Sequence, residues 1–308
     1  MRKYIVKRLL ISIFLLFFVA LIIYSIMRSI PTSYVEAIAR ERATQPNSKS
    51  YSEWLAQLNQ IYGLDRGILP GFFMWLKNAV RGDFGDSWLF TVPVTQKFAE
   101  VIWYSFILGS VAFVLELIIA IPLGILSARK QYSRTDYTIT VVALLGISLP
   151  TFFFATILKL VFSIKLDLLP LFGIVGRFHE QLDSFRQLLD MGKHMILPVM
   201  TLVIISIGGL MRYTRTNMLE VLNSDYIRTA RAKGLSENRV INYHAFRNTL
   251  IPIVTIVGGS LPGLFAGALI TETLFQIPGI GYTSYQAMVS GDIPFSMFYL
   301  VFMAALTL

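Results

Sequence analysis

The chain has 308 residues, of which 55% are hydrophobic and only 15% charged, and its net charge is +9. Soluble globular proteins are about a quarter charged, so this is not their composition. There is no cysteine, which excludes disulfide frameworks and thiol chemistry, and the three histidines, His179, His194 and His244, show no metal-ligand spacing along the sequence. No metal site and no zinc or thiol enzyme is expected.

The apolar residues are gathered into runs, as a bilayer requires. The first, Leu9 to Met27, is free of charge and follows Arg2, Lys3, Lys7 and Arg8. Ala37-Ile38-Ala39 has the look of a signal-peptide cleavage site, but the run exceeds the ~7–15 residues of a signal core, so a retained first helix is expected. Residues 1–28 then form the N-terminal end and first span, 29–100 an insert, and 101–308 the core with five further apolar stretches. These are Val101–Ala128, Tyr137–Ile164, Met195–Met211, Leu250–Leu274 and Pro294–Leu308. The last is short of the ~20 residues of a span; completion by further residues and a following tail are expected. Pro122, Pro150 and Pro198 are placed to kink helices or end them.

The insert holds two amphipathic helical patterns. Ser52 can cap the first, with Trp54, Leu55, Leu58, Ile61 and Tyr62 on one face and Gly63 as its stop. The second carries Phe72, Trp75, Leu76, Ala79 and Val80 and ends at Gly82. Both suit a membrane interface or a cap over the spans, and equally a small packed ectodomain.

Alternating the spans gathers the N-terminus, the segment near Gln131–Asp136 and the loop 212–249 on one side. That side carries fourteen Lys and Arg, with only Asp136, Glu220, Asp225 and Glu237 as acids, whereas the opposite side is balanced at twelve of each. Positive loops stay cytoplasmic, so both termini are expected in the cytoplasm. The basic residues flank spans and have no aromatic platform among them, so no nucleic-acid partner is expected.

Three ionisable groups, Glu116, Lys159 and Glu272, fall within or beside apolar runs, where such groups face a bundle interior, water or one another. Lys159 is placed to snorkel. Glu116 and Glu272 are candidates for contact with a passing solute, or for structural, hydrogen-bonded roles. Past Glu272, Pro278, Gly279 and Gly281 break helix, either as a plain turn or as an outer gate.

In the loop, Asn223, Ser224 and Asp225 offer helix caps, Tyr226 to Lys233 two turns, and Gly234 a left-handed end with Leu235 beyond it. Ser236 can cap the helix that returns to the membrane. Tyr226, Ile227, Ala230 and Leu235 form an apolar stripe among Arg228, Arg231 and Lys233. So short a helix is marginal alone; it is either a docking element or a solvated basic loop that enforces topology.

The run Ser224-Asp225-Tyr226-Ile227-Arg228-Thr229-Ala230-Arg231-Ala232-Lys233-Gly234-Leu235, then His244-Ala245-Phe246-Arg247-Asn248, resembles the coupling loop of permease subunits in oligopeptide and dipeptide ATP-binding-cassette importers. Arg228 and Thr229 depart from the broader importer signature in the manner of the peptide branch. Tyr62-Gly63-Leu64-Asp65, Gly82-Asp83-Phe84-Gly85-Asp86-Ser87 and Glu272-Thr273-Leu274-Phe275 with Pro278-Gly279-Ile280-Gly281 resemble other segments of that branch. The resemblance implies an all-α membrane protein of about six transmembrane helices, with the type I importer permease fold and a helical extracytoplasmic insert between helices 1 and 2. It implies a multi-pass protein of a bacterial-type cytoplasmic membrane, in contact with membrane lipid, a second homologous permease, two cytoplasmic ATPase subunits and an extracytoplasmic peptide-binding protein. Residues 224–235 would be the ATPase-coupling helix. The chain has no phosphate loop, so ATP and magnesium belong to the partners and no cofactor to this chain. The competing readings are an ATP-independent secondary transporter or a non-transporting receptor or scaffold subunit, and nickel or another small solute as cargo.

Overall fold

The computed structural model describes residues 2–29, 33–45, 48–61 and 63–308. Its elements there are helical, apart from an isolated antiparallel bridge between Asp86 and Pro93. By length and apolarity, four helical stretches can cross a membrane, a sharply bent pair makes a fifth, and Ile293–Thr307 is a shorter apolar helix. Each of the six apolar runs thus lies largely on helix, two of them with a break inside. The chain divides into two compact units, residues 1–102 with 283–308, and residues 103–282.

In the first unit, α1 (Arg2–Ser29) is followed by α2 (Ser33–Ala43), α3 (Tyr51–Ile61) and α4 (Ile68–Ala79), with α14 (Ile293–Thr307) from the far end of the chain. One apolar core holds Tyr24 and Met27 of α1, Val35 and Ala39 of α2, Leu58, Phe72, Trp88 and Met297. The insert therefore packs on α1 and α14. Helix α2 carries little apolar signal, because Tyr34, Val35, Ile38 and Ala39 alone give a charged segment its packed stripe. The sequence reading misplaced a cap. Ser50, not Ser52, starts α3, since Ser50 N donates to Glu53 Oε2 at 2.9 Å and Ser50 Oγ faces Glu53 N at 3.4 Å. This is a capping box, and its bonds hold the Glu53 carboxyl below the usual range. Tyr62 lies outside the described residues. Asp292 is fully buried at the start of α14, accepting from Phe295 N (3.2 Å), Leu89 N (3.1 Å) and the Ser87 hydroxyl.

The second unit is entered along α5 (Val94–Arg129), which continues unbroken through Pro122. Next come α6 (Arg134–Ser148) and α7 (Thr151–Leu158), the latter extended by a π-helical turn, Lys159–Lys165. The predicted Tyr137–Ile164 span is not one straight helix. Pro150 forces Leu149 into an extended conformation (φ −79°, ψ 130°) and the two halves diverge by 104°. The 39-residue α8 (Ser184–Leu222) runs through Pro198 and beyond Met211, so the loop expected from Arg212 is helical for its first eleven residues. The predicted Leu250–Leu274 span is also divided. Short α9 (Asp225–Ala232) and α10 (Glu237–Arg239) lead through a π-helical stretch, Val240–Ala245, into α11 (Phe246–Ser260) and a 3-10 turn, Leu261–Phe265. After the non-helical residues 266–268, α12 (Leu269–Phe275) and then α13 (Ile280–Val289) follow. Glu272 therefore sits on a separate short helix.

Small residues let α6 and α8 touch backbone to backbone. A Cβ on Gly146 would stand 2.5 Å from the Ile204 carbonyl, and one on Gly208 2.5 Å from that of Ala143. One end of this pair is pinned by charge. Buried Asp136 takes two bonds of 2.8 Å from the Arg215 guanidinium, a third from Tyr132 N at 3.0 Å, and the Ser127 hydroxyl. Sequence reasoning counted both charges but could not pair residues so far apart. Replacing Asp136 by alanine leaves the guanidinium unanswered, and breaking such a pair costs about 3 kcal/mol. The expected result is a clear fall in melting temperature in detergent, largely recovered in Asp136→Ala/Arg215→Met; equal loss in both variants would contradict it.

Candidate coupling helix and membrane carboxylates

Helix α9 is built by its ends. Ser224 is extended (φ −74°, ψ 155°), as an N-cap residue must be, but its hydroxyl turns back to the Val221 carbonyl at 2.6 Å. At the other end Gly234 (φ +74°) donates to Arg231 O at 2.9 Å and Leu235 to Ala230 O at 3.4 Å. That is a Schellman closure. Beyond it, Arg231 grips Glu237 with two bonds, of 2.7 and 3.1 Å, clasping the end of α9 to the start of α10.

The predicted apolar stripe does not all face outward. Ile227 and Ala230 are buried against Ala128, Met218, Val240, Ile241 and Ala245, and Leu235 packs on the same core. They anchor α9 to α5, α8 and the π-helical stretch. Asp225, Tyr226, Arg228, Thr229, Ala232 and Lys233 remain exposed. Sequence periodicity found the stripe without showing what covers it. It also missed the clasp, although the sequence places Glu237 six residues after Arg231.

The other candidate residues fall into two groups. Glu272 is fully buried, accepting from Ser105 Oγ (2.6 Å), Ala268 N (2.9 Å) and Tyr282 N (2.8 Å), while Ser105 Oγ accepts from Ile280 N at 2.8 Å. Gly279 and Gly281 lie directly against it: a Cβ on Gly279 would stand 2.5 Å from both Glu272 Cδ and Ser105 Oγ. Pro278, Gly279 and Gly281 therefore form the turn that closes over this carboxylate. Gln276, left-handed at φ +53°, ends α12 ahead of them. Lys159 does not snorkel. Its ammonium donates to Leu274 O at 2.6 Å and lies over the Phe275 ring, where a cation complements a helix C-terminus.

Glu116 is half-buried and lines a cavity of about 200 Å³ with Ser105, Gly109, Ser206, Gly263 and Gly267 among its neighbours. The histidines hold a contact not visible in the sequence. Asp190 Oδ2 accepts from Gly176 N at 2.7 Å and meets His179 Nδ1 at 2.7 Å, while His194 Nδ1 lies 2.8 Å from the Asp190 carbonyl.

Residues 120–308 match the family described as binding-protein-dependent transport system inner membrane component. The chain belongs to this family of transport permeases. The matched region contains α9, the Asp136–Arg215 pair and the Glu272 turn. Relatives extend the likeness over the insert as well. The oligopeptide transport system permease protein AppB of Bacillus subtilis is 36% identical over 307 residues, 99% of this chain and 93% of its own. The oligopeptide permease OppB of Haemophilus influenzae is 34% identical, covering 95% of this chain and 89% of its own. The dipeptide permease DppB of Escherichia coli K12 is 34% identical over 96% and 90%. The branch resembled by residues 224–235 is thus the one in which the chain's relatives lie, and the permease is a multi-pass membrane protein.

Proposed function

We propose that this permease imports peptides as one half of a membrane pathway, and that α9 is the contact through which partner ATPases drive it. The observation that carries this reading is the division of α9 into two faces. Ile227 and Ala230 fix the helix to α5, α8 and the segment leading into α11, while Tyr226, Arg228, Thr229 and Lys233 are left exposed on a rigid two-turn ledge. A solvated loop that only enforced topology would not need a Schellman closure, an apolar anchor and an ionic clasp together. A push on the exposed face would pass into three long helices through packed side chains, because close-packed cores transmit strain.

In this reading two ATPases bind ATP with magnesium, and their closure moves α9 and turns the pathway toward an extracytoplasmic peptide-binding protein. Hydrolysis resets it. A second, similar permease completes the pathway. The excess of basic residues around α9 and the N-terminus supports a cytoplasmic location for that side and for both termini. The relatives' names, which describe oligopeptide and dipeptide transport, support peptide as cargo.

The test is uptake of radiolabelled tripeptide into proteoliposomes holding the full complex. Uptake is expected only with ATP, both ATPase subunits and loaded binding protein. Uptake that persists without an ATPase would overturn the proposal.

A further inference from the structure

The three ionisable groups inside or beside the apolar helices differ in one respect. Glu272 has three donors and Lys159 has a carbonyl acceptor and an aromatic face. Glu116 has no ion pair among the described residues. Its polar neighbour is Ser206, whose one hydroxyl proton is directed to its own helix, to Leu202 O at 2.9 Å and Val203 O at 3.2 Å. A carboxylate so poorly supplied with donors is costly in a membrane and is found where a partner arrives from outside.

Its depth is given by counting. Glu116 stands thirteen residues before Arg129 on unbroken α5, about 20 Å at 1.5 Å per residue. Glu100 lies sixteen residues the other way, about 24 Å, so Glu116 stands near the middle of the stretch between these two charges, over which a hydrocarbon core of about 30 Å is centred. The cavity beside it is walled by Gly109, Ala112, Gly263 and Gly267 with Phe113, Leu202 and Leu264, and Gly263 and Gly267 lie in the interruption between α11 and α12. A carboxylate facing a cavity beside a discontinuous helix at the midplane is the arrangement of a transport site.

We infer that Glu116 receives the free α-ammonium group of a peptide passing through this cavity. Peptides differ in their side chains and share a backbone with one terminal ammonium. The walls, glycine and alanine with Phe113, Leu202 and Leu264, carry no other charged group, so the carboxylate selects what all the cargoes share. The inference rests on the reading of peptide as cargo and adds the group by which the pathway holds it.

The experiment is equilibrium dialysis of radiolabelled tri-alanine and N-acetyl-tri-alanine against the purified complex of this permease with its partner permease and ATPases, without binding protein. This removes any selection made before the pathway. The free peptide is expected to bind at least tenfold tighter than the acetylated one, and Glu116→Gln to erase that difference while Glu116→Asp keeps part of it. Equal binding of the two peptides by the unaltered complex, or discrimination that survives in Glu116→Gln, would overturn the inference. So would loss of the second permease from the Glu116→Gln complex, which would assign the carboxylate to a subunit contact. ATP-driven uptake of tri-alanine by the unaltered complex, with its loaded binding protein restored, separates the two failures. If it is present without discrimination, only the role of Glu116 falls; if it is absent, the peptide reading falls first.

Discussion

Gly279→Val is expected to leave almost no folded protein. Real side chains do not place a Cβ within 3.0 Å of another heavy atom, yet at Gly279 it would lie 2.5 Å from Glu272 Cδ and from Ser105 Oγ. Neither neighbour can give way cheaply. Glu272 is fully buried and holds Ala268, Tyr282 and Ser105 together, so displacing its carboxylate strands several buried polar groups at about 1–3 kcal/mol each. The sum approaches the whole stability of an ordinary domain, about 5–15 kcal/mol. The monodisperse fraction in detergent, measured by size-exclusion chromatography, should fall at least tenfold. Gly258→Ala is the control, since nothing lies within 4 Å of its Cβ and alanine favours a helix interior. Equal yields from the two variants would show that the Glu272 turn yields easily.

Gly234→Val should separate ATP hydrolysis from transport without harming insertion. Space is not the obstacle, for a Cβ there meets nothing within 4 Å. The obstacle is φ +74°, which costs an L-residue roughly 1–2 kcal/mol and a β-branched one more. That is enough to open the last turn of a helix of only eight residues, and with it the bonds from Gly234 and Leu235 and the nearby clasp of Arg231 on Glu237. Peptide uptake should fall about tenfold, while the ATPase activity of the assembled complex loses its response to loaded binding protein. Gly234→Asn should stay coupled, because asparagine tolerates the left-handed conformation. A valine variant that couples normally, or an asparagine variant as impaired as valine, would count against α9 as the lever.

What could be recovered from the sequence follows the range of the forces involved. Local signals were read well: Leu9–Met27 lies inside α1, and the two turns expected at Tyr226–Lys233 appear as Asp225–Ala232, closed at Gly234 as anticipated. Some local signals were present and passed over. Ser50 with Glu53 three residues later is a capping box, and Pro262, Gly263 and Gly267 mark the break before α12 that apolarity alone concealed. Long-range pairings left no trace. Nothing near Asp136 points to Arg215, nothing near Ser87 to Asp292, and nothing near Glu272 to Ser105. The same limit explains Ile227. Its periodicity marks it as apolar, but only tertiary packing assigns it to this chain's own core and not to a partner.

The absence of cysteine makes the most direct test simple, because any introduced thiol is the only one in the chain. Arg228→Cys and Lys233→Cys, both on the exposed face of α9, would be labelled with benzophenone maleimide in the assembled complex and irradiated. Ile118→Cys, exposed on α5, serves as the comparison. Capture of an ATPase subunit is expected from both α9 positions and not from position 118, together with loss of ATP-driven peptide uptake. Robust uptake in a complex where neither α9 position captures an ATPase would contradict the assignment of α9 as the coupling helix.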